Sequence, residues 1–120
     1  MFGHDLTRQQ IICNKANARI DFTYPIDQDY HYLGRYVVAD ECFYLGKNPS
    51  MQYDLIVTIG DMLKKDADSI GGWLNPDTED YELNTNKHFH DLNDAIDFAK
   101  EREQRYIYDA VTRVNIKVFE

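Results

Sequence analysis

The clearest pattern of hydrophobic and polar positions lies in the second half of the chain. The segment "SIGGWLNP" is a short apolar run, "NPDTED" is rich in turn-forming residues, and "YELNTNKHF" alternates apolar and polar positions. Alternation at every second residue is typical of a half-buried strand, and Pro, Asp and Asn favour the turn between two strands. The second strand of this predicted hairpin has one apolar-rich face, made of Tyr81, Leu83, Thr85, Lys87 and Phe89.

A helix is predicted directly after the hairpin. Asp91 lies in the N-cap position, where its carboxylate can accept a free amide hydrogen bond from the first turn, and Asp94 adds favourable charge there. The buried face of this helix is expected to contain Leu92, Ala95, Ile96 and Ala99, which recur at helical spacing. The segment "RYIYDAVTRVNIKVF" then supplies one or two strands, so the C-terminal half has the order β-β-α-β.

The first half is less regular. "LTRQQIICNKANA" predicts a short helix that begins near Thr7, with Leu6, Ile11 and Ile12 facing inward. "RIDFTYPI" alternates Ile20, Phe22 and Tyr24, which predicts a strand that Pro25 ends.

Two further segments of the first half have mixed signals. "GRYVVADECFYLG" fits neither period cleanly, and its β-branched and aromatic residues favour a strand over a helix. "NPSMQYDLIVTIGDML" contains β-branched residues and a glycine, but its apolar stripe favours a helix capped by Ser50. That stripe consists of Met51, Leu55, Ile59, Met62 and Leu63.

Length and composition define the class of protein. The chain has 120 residues, of which 43% are hydrophobic and 28% charged, as expected for one globular domain. We therefore predict a single α+β domain over residues 1–120. Its apolar runs are too short to cross a bilayer, and its first residues lack the basic and apolar regions of a signal peptide. A cytoplasmic protein with Cys13 and Cys42 as free thiols is the resulting expectation.

The acidic charge is concentrated in one part of the chain. The net charge is −8, and residues 61–99 contain ten acidic and three basic side chains. An acidic surface repels phosphate backbones, so direct nucleic-acid binding is disfavoured. Such a surface favours a protein partner with a basic surface, although solubility alone would also explain it.

Tyrosines are the second candidate feature for partner binding. The segment "DFTYPIDQDYHYLGRY" mixes Tyr with Asp, and Tyr combines a large contact area with a polar tip. The same rings could instead complete a small core, and Trp73 could likewise be a core residue or an exposed anchor. We predict a small acidic protein-binding module without a cofactor. Its candidate contact residues are Tyr30, Tyr32, Tyr36, Asp77, Glu79 and Asp80.

The alternative is a small enzyme or metal-dependent protein that uses His88 and His90. These two side chains point the same way on a strand, and Asp91 or Asp94 could add oxygen ligands. They lie opposite the apolar face that contains Phe89, so we expect them to be exposed to solvent at a strand-to-helix junction. Two ligands also leave a tetrahedral metal site incomplete. No nucleophile motif or phosphate-binding glycine loop occurs, and Gly71 and Gly72 are expected to allow close packing or a bulge.

A series of short motifs over residues 69–109 resembles a pattern found in small uncharacterised proteins of bacteriophages and mobile elements. These motifs are "GGW" at 71–73, Tyr81, Ala95, Gln104 and "IYD" at 107–109. The resemblance implies no enzymatic activity. It implies an accessory protein that binds a host protein and inhibits or modifies it, and one version of this hypothesis is an inhibitor that imitates the charge of nucleic acid.

Overall fold

The computed structural model of the chain describes residues 2–26, 33–49 and 54–119, with the backbone alone for residues 2–6. The described ranges contain three helices and one antiparallel sheet, which confirms the predicted α+β class. In chain order they are α1 (Phe2–Asn17), β1 (Phe22–Pro25), β2 (Tyr36–Gly46), α2 (Leu55–Leu63), β3 (Ser69–Leu74), β4 (Tyr81–Phe89), α3 (Leu92–Glu101), β5 (Tyr106–Asp109) and β6 (Val114–Lys117).

The strands form one sheet in the order β1-β3-β4-β2-β5-β6, and each neighbouring pair is antiparallel. β4 lies inside the sheet, between the hairpin partner β3 and the long strand β2. The predicted hairpin and the β-β-α-β order of the C-terminal half are confirmed.

The helices pack against one face of the sheet, which we call the helix face. In β4 this face consists of Tyr81, Leu83, Thr85, Lys87 and Phe89. One cluster joins α1 and α2 to Tyr81 and Leu83, and a second joins α3 to Val38 and Ile107. The opposite face, which we call the distal face, contains Glu82, Asn84, Asn86 and His88 of the same strand. Because strand side chains alternate, one strand supplies both a core surface and a surface away from the described helices.

The α3 helix follows its sequence pattern closely. Asp91 is the N-cap, and its side chain accepts hydrogen bonds from the backbone N–H groups of Asn93 and Asp94. Ala95 and Ala99 are fully buried, and the half-buried Ile96 packs against the same cluster. The predicted cap and buried face are therefore confirmed.

The other two helices differ from prediction at their ends. α1 begins at Phe2 rather than near Thr7, and no proline interrupts the intervening residues. Ile12 faces inward as predicted, whereas the prediction for Ile11 is wrong, because its side chain is exposed. α2 begins at Leu55, with Asp54 in the N-cap position, and the predicted cap Ser50 lies outside the described residues.

Gly71 and Gly72 allow close packing on the two faces of β3, as predicted. A Cβ atom at Gly72 would overlap the Tyr81 hydroxyl group and the Phe22 ring on the helix face. A Cβ atom at Gly71 would crowd the side-chain amide of Asn86 on the distal face. Both glycines therefore make room for neighbouring side chains rather than for a ligand.

An ion pair joins Arg35, directly before β2, to Asp109 at the end of β5. The Arg35 guanidinium donates two hydrogen bonds to Asp109, at 3.0 and 2.6 Å. Asp109 is 4% exposed and also accepts hydrogen bonds from the backbone N–H groups of Val111 and Thr112. The hydrogen bonds from Arg35 hold the pKa of Asp109 well below its usual range. The aspartate of the "IYD" motif thus has a structural role.

No helix in the described part of the chain combines the length and the apolar character needed to cross a membrane.

The capping of α3 generates a stability prediction. Asp91→Ala should lower the free energy of unfolding by about 1 kcal/mol, because two backbone N–H groups lose their acceptor. Urea denaturation measures this change. Asp97→Ala is the matched control, since it removes the same charge from an exposed position inside the helix, where alanine is well tolerated. Equal losses in both variants would contradict the assignment of the cap.

Candidate functional site

Two large apolar side chains are exposed on the distal face, one on each side of Glu82. Trp73 in β3 and Leu45 in β2 both pair in register with Glu82, which lies between them in β4. Trp73 is 38% exposed and Leu45 is 64% exposed. Exposed apolar groups that line one depression together with polar residues are typical of binding surfaces, whereas single ones are common on any protein.

A small cavity lies at this row of residues. Its volume is about 260 Å³. Pockets for small-molecule ligands usually measure about 300–1,000 Å³, so this cavity is smaller than is usual for a bound cofactor. Its lining consists of Leu45, Trp73, Asn75, Thr78, Asp80 and Glu82. We call these six residues, with the turn 75–80 that borders them, the Trp73 surface.

The turn at residues 75–80 is ordered by its own hydrogen bonds. The Asn75 side-chain oxygen accepts from the backbone N–H groups of Asp77 and Thr78, at 2.9 and 3.4 Å. The Thr78 hydroxyl oxygen accepts from the backbone N–H of Asp80 at 3.2 Å. Glu79 adopts the left-handed conformation with φ 64°. The predicted turn is confirmed, and it uses the side-chain-to-backbone bonds that Asn and Thr favour.

Two basic side chains hold this turn from different parts of the chain. Lys47 donates to the Thr78 carbonyl oxygen at 2.5 Å and to the Asp80 carboxylate at 3.2 Å. Arg19 donates to the Glu79 carbonyl oxygen at 2.6 Å. These bonds fix the backbone of the turn, while the side chains of Asp77 and Glu79 remain exposed. In the described ranges neither of these two carboxylates takes part in an ion pair.

The structure brings together only some of the predicted contact residues. Asp77, Glu79 and Asp80 lie in the turn of the Trp73 surface. Tyr36 lies near the other end of β4, opposite Phe89, where it packs against the α3 cluster. Tyr30 and Tyr32 lie outside the described residues.

Sequence reasoning did not identify Leu45 and Glu82 as members of this site, or Lys47 as a side chain that binds its turn. Glu82 could have been found, because alternation along the predicted hairpin puts it on the same face as Trp73. Leu45 and Lys47 reach the site only through the pairing of β2 with β4, and no local pattern reports that pairing.

His88 lies on the predicted face, but the expectation that it is solvent-exposed is wrong. Its Nε2 is 2.7 Å from the Ser69 hydroxyl oxygen, and its Nδ1 is 3.1 Å from the Gly34 carbonyl oxygen. Gly34 packs directly against the backbone of Phe89 and His90, which half-buries the imidazole. Burial lowers the pKa of His88.

The Ser69–His88 contact has the geometry of a nucleophile beside a base. Ser69 is 0% exposed, however, and its hydroxyl oxygen also accepts a hydrogen bond from the Asn86 amide at 3.1 Å. A substrate therefore has no access to this oxygen in the described structure. Among the residues whose positions are described, no three histidine, cysteine or acidic side chains gather where they could hold a metal ion. The geometry thus favours a structural role for His88.

Comparisons of the chain with protein-family models, curated proteins and solved structures found no match.

The environment of His88 generates a pH prediction. The folded-state pKa lies below the unfolded value of about 6.5, so the unfolded chain takes up the proton more readily. The contribution of neutral His88 to the free energy of unfolding is complete above pH ~6.5, and it is lost as the pH falls toward the folded-state pKa of His88. Asp68, whose carboxylate accepts the His88 backbone N–H, limits the loss because its charge favours the imidazolium.

Urea denaturation between pH 8 and 5 measures this effect by comparing wild type with His88→Gln. The wild type should lose more unfolding free energy with falling pH than the variant, since the other histidines titrate in both. Parallel curves would contradict the assigned environment.

Proposed function

We propose that this protein binds a basic surface of a partner protein through the Trp73 surface. The observation that supports the proposal most strongly is the position of two exposed apolar side chains beside an acidic turn. Tryptophan is enriched among the residues that contribute most to binding energy at interfaces. Carboxylates around such an anchor attract a basic partner and accelerate its association.

The hydrogen bonds to the turn also support this proposal. In the unbound protein, Lys47 and Arg19 already donate hydrogen bonds to backbone carbonyl oxygens of the turn. The conformational entropy that a loop loses when it becomes ordered during association opposes binding. A loop that is already ordered avoids much of this entropic cost. Asp77 and Glu79 are therefore presented from a defined backbone rather than from a freely moving loop.

We do not extend the proposal to imitation of nucleic acid. Besides Asp61, Asp66, Asp68 and Glu82, the segment 61–99 contains two acidic groups: the turn 75–80 and the exposed aspartates of α3. They flank opposite ends of β4, whose 9 residues span about 27 Å. Duplex DNA has one negative charge per ~1.7 Å of its axis, so two groups this far apart do not amount to a phosphate-like array.

The role of Trp73 is tested with Trp73→Ala. Partners captured from a lysate of the native host by immobilised wild-type protein are identified, and the affinity of each is measured by surface plasmon resonance. The variant should bind the relevant partner at least about 30-fold more weakly, through faster dissociation, as expected when a buried anchor is removed. Unchanged melting temperatures of the variant would exclude unfolding as the cause. A partner that binds both proteins equally would contradict the proposal.

The role of the acidic turn is tested by reversing Asp77, Glu79 and Asp80 to lysine. The association rate with the same partner should fall and should lose most of its dependence on salt, because the steering field is removed. Reversal of Asp97, Glu101 and Glu103 is the matched control, since it changes the net charge equally at exposed positions in and just after α3. Equal slowing in both triple variants would show that net charge alone acts on the partner.

A further inference from the structure

We infer that the cavity of the Trp73 surface receives a single basic side chain of the partner, a cation on an aliphatic stem such as lysine or arginine. This inference rests on the proposed function and specifies which group of the partner is recognised. It follows from the chemistry of the lining residues, from the size of the cavity and from an ammonium group that the turn already binds.

The lining combines the two surfaces that such a side chain needs. Trp73 and Leu45 form apolar walls on either side of Glu82, as their register across three strands requires. An aliphatic stem packs on apolar walls while its charged end reaches polar groups. The face of an indole also attracts a cation directly. Glu82 supplies a carboxylate between the walls, and none of the ion pairs among the described residues involves it.

The polar part of the lining favours a cation over an anion. Its charged members are Asp80, which is paired with Lys47, and Glu82, and none of the described lining residues is basic. Asn75 and Thr78 add neutral polar groups that are partly engaged in the turn. The Glu82 carboxylate has a hydrogen-bond contact with the Cys42 thiol but no cation among the described ion pairs. An anionic or purely apolar group would cover this charge without neutralising it, which is costly.

Lys47 shows that this turn binds an ammonium group. Its Nζ lies 3.2 Å from Asp80 and 2.5 Å from the Thr78 carbonyl oxygen, so one carboxylate and one backbone oxygen share the cation. Asp80 and Thr78 also line the cavity. Two residues that bind an intramolecular ammonium group therefore also line the space proposed for an intermolecular one.

The chain contains its own reporter for this cavity, because Trp73 is the only tryptophan. Blocked tripeptides Gly-Lys-Gly, Gly-Arg-Gly and Gly-norleucine-Gly are titrated at constant ionic strength, and Trp73 fluorescence is recorded. We expect a saturable change with the lysine or arginine peptide, with a dissociation constant in the millimolar range, and no saturable change with norleucine. The tighter of the two cationic peptides identifies the residue type.

Two variants test whether the Glu82 carboxylate binds the cation of the tripeptide. Glu82→Gln should weaken binding of the cationic tripeptide about fivefold, as expected for loss of one partly exposed charge pair. Asp97→Asn removes the same charge from an exposed position of α3, outside the Trp73 surface, and it should leave the affinity within about twofold. Equal effects of the two variants, or equal responses to norleucine and lysine, would overturn the inference.

The outcomes also separate this inference from the proposed function. If Trp73→Ala abolishes binding of the protein partner but no cationic tripeptide gives a saturable response, the Trp73 surface remains a binding site and the inferred cationic side chain is wrong. If Trp73→Ala leaves binding of the protein partner intact, the proposed function is wrong whatever the tripeptides do.

Discussion

The alternation of side chains along β4 determines both the packing of the core and the position of the Trp73 surface. Tyr81 and Leu83 enter the core beneath α1 and α2, while Glu82 is forced to the opposite face. A shift of one residue in this register would bury Glu82 and expose the core residues, so packing fixes the register strongly. The same packing therefore fixes the position of Glu82 between Trp73 and Leu45.

The hairpin that presents the Trp73 surface is also tied to the N-terminal part of the chain. The Tyr81 hydroxyl donates to the Ile20 carbonyl oxygen at 2.7 Å, and Asp21 accepts from the Leu74 backbone N–H at 2.8 Å. Together with Arg19, these bonds hold the segment that follows α1 against the β3–β4 hairpin. Long-range hydrogen bonds of this kind restrict the motion of the turn. A turn that is already ordered loses less conformational entropy when a partner binds.

Local sequence patterns predicted most of the helices, strands and turns. Which residues form the Trp73 surface, in contrast, depends on long-range strand pairing. The α3 cap at Asp91 and the turn at residues 75–80 depend on neighbours within a few residues, so the sequence showed both directly. The insertion of β2 between β4 and β5 leaves no periodic pattern, and it brings Leu45 to the site.

Long-range contacts also explain the wrong expectation for His88. Its exposure was predicted from strand alternation, which gives the face of a side chain but not what covers it. The contact with Gly34 joins residues separated by 54 positions, which no pattern within one strand reveals.

If the Trp73 surface, rather than acidic charge in general, recognises a basic partner, a basic peptide should bind there. Amide chemical-shift changes in the ¹⁵N-labelled protein are mapped on titration with a decapeptide of alternating lysine and glycine. We expect the largest changes in residues 42–47 and 73–82. Equal or larger changes along α3, whose exposed aspartates have similar charge but no neighbouring tryptophan, would contradict recognition by the Trp73 surface.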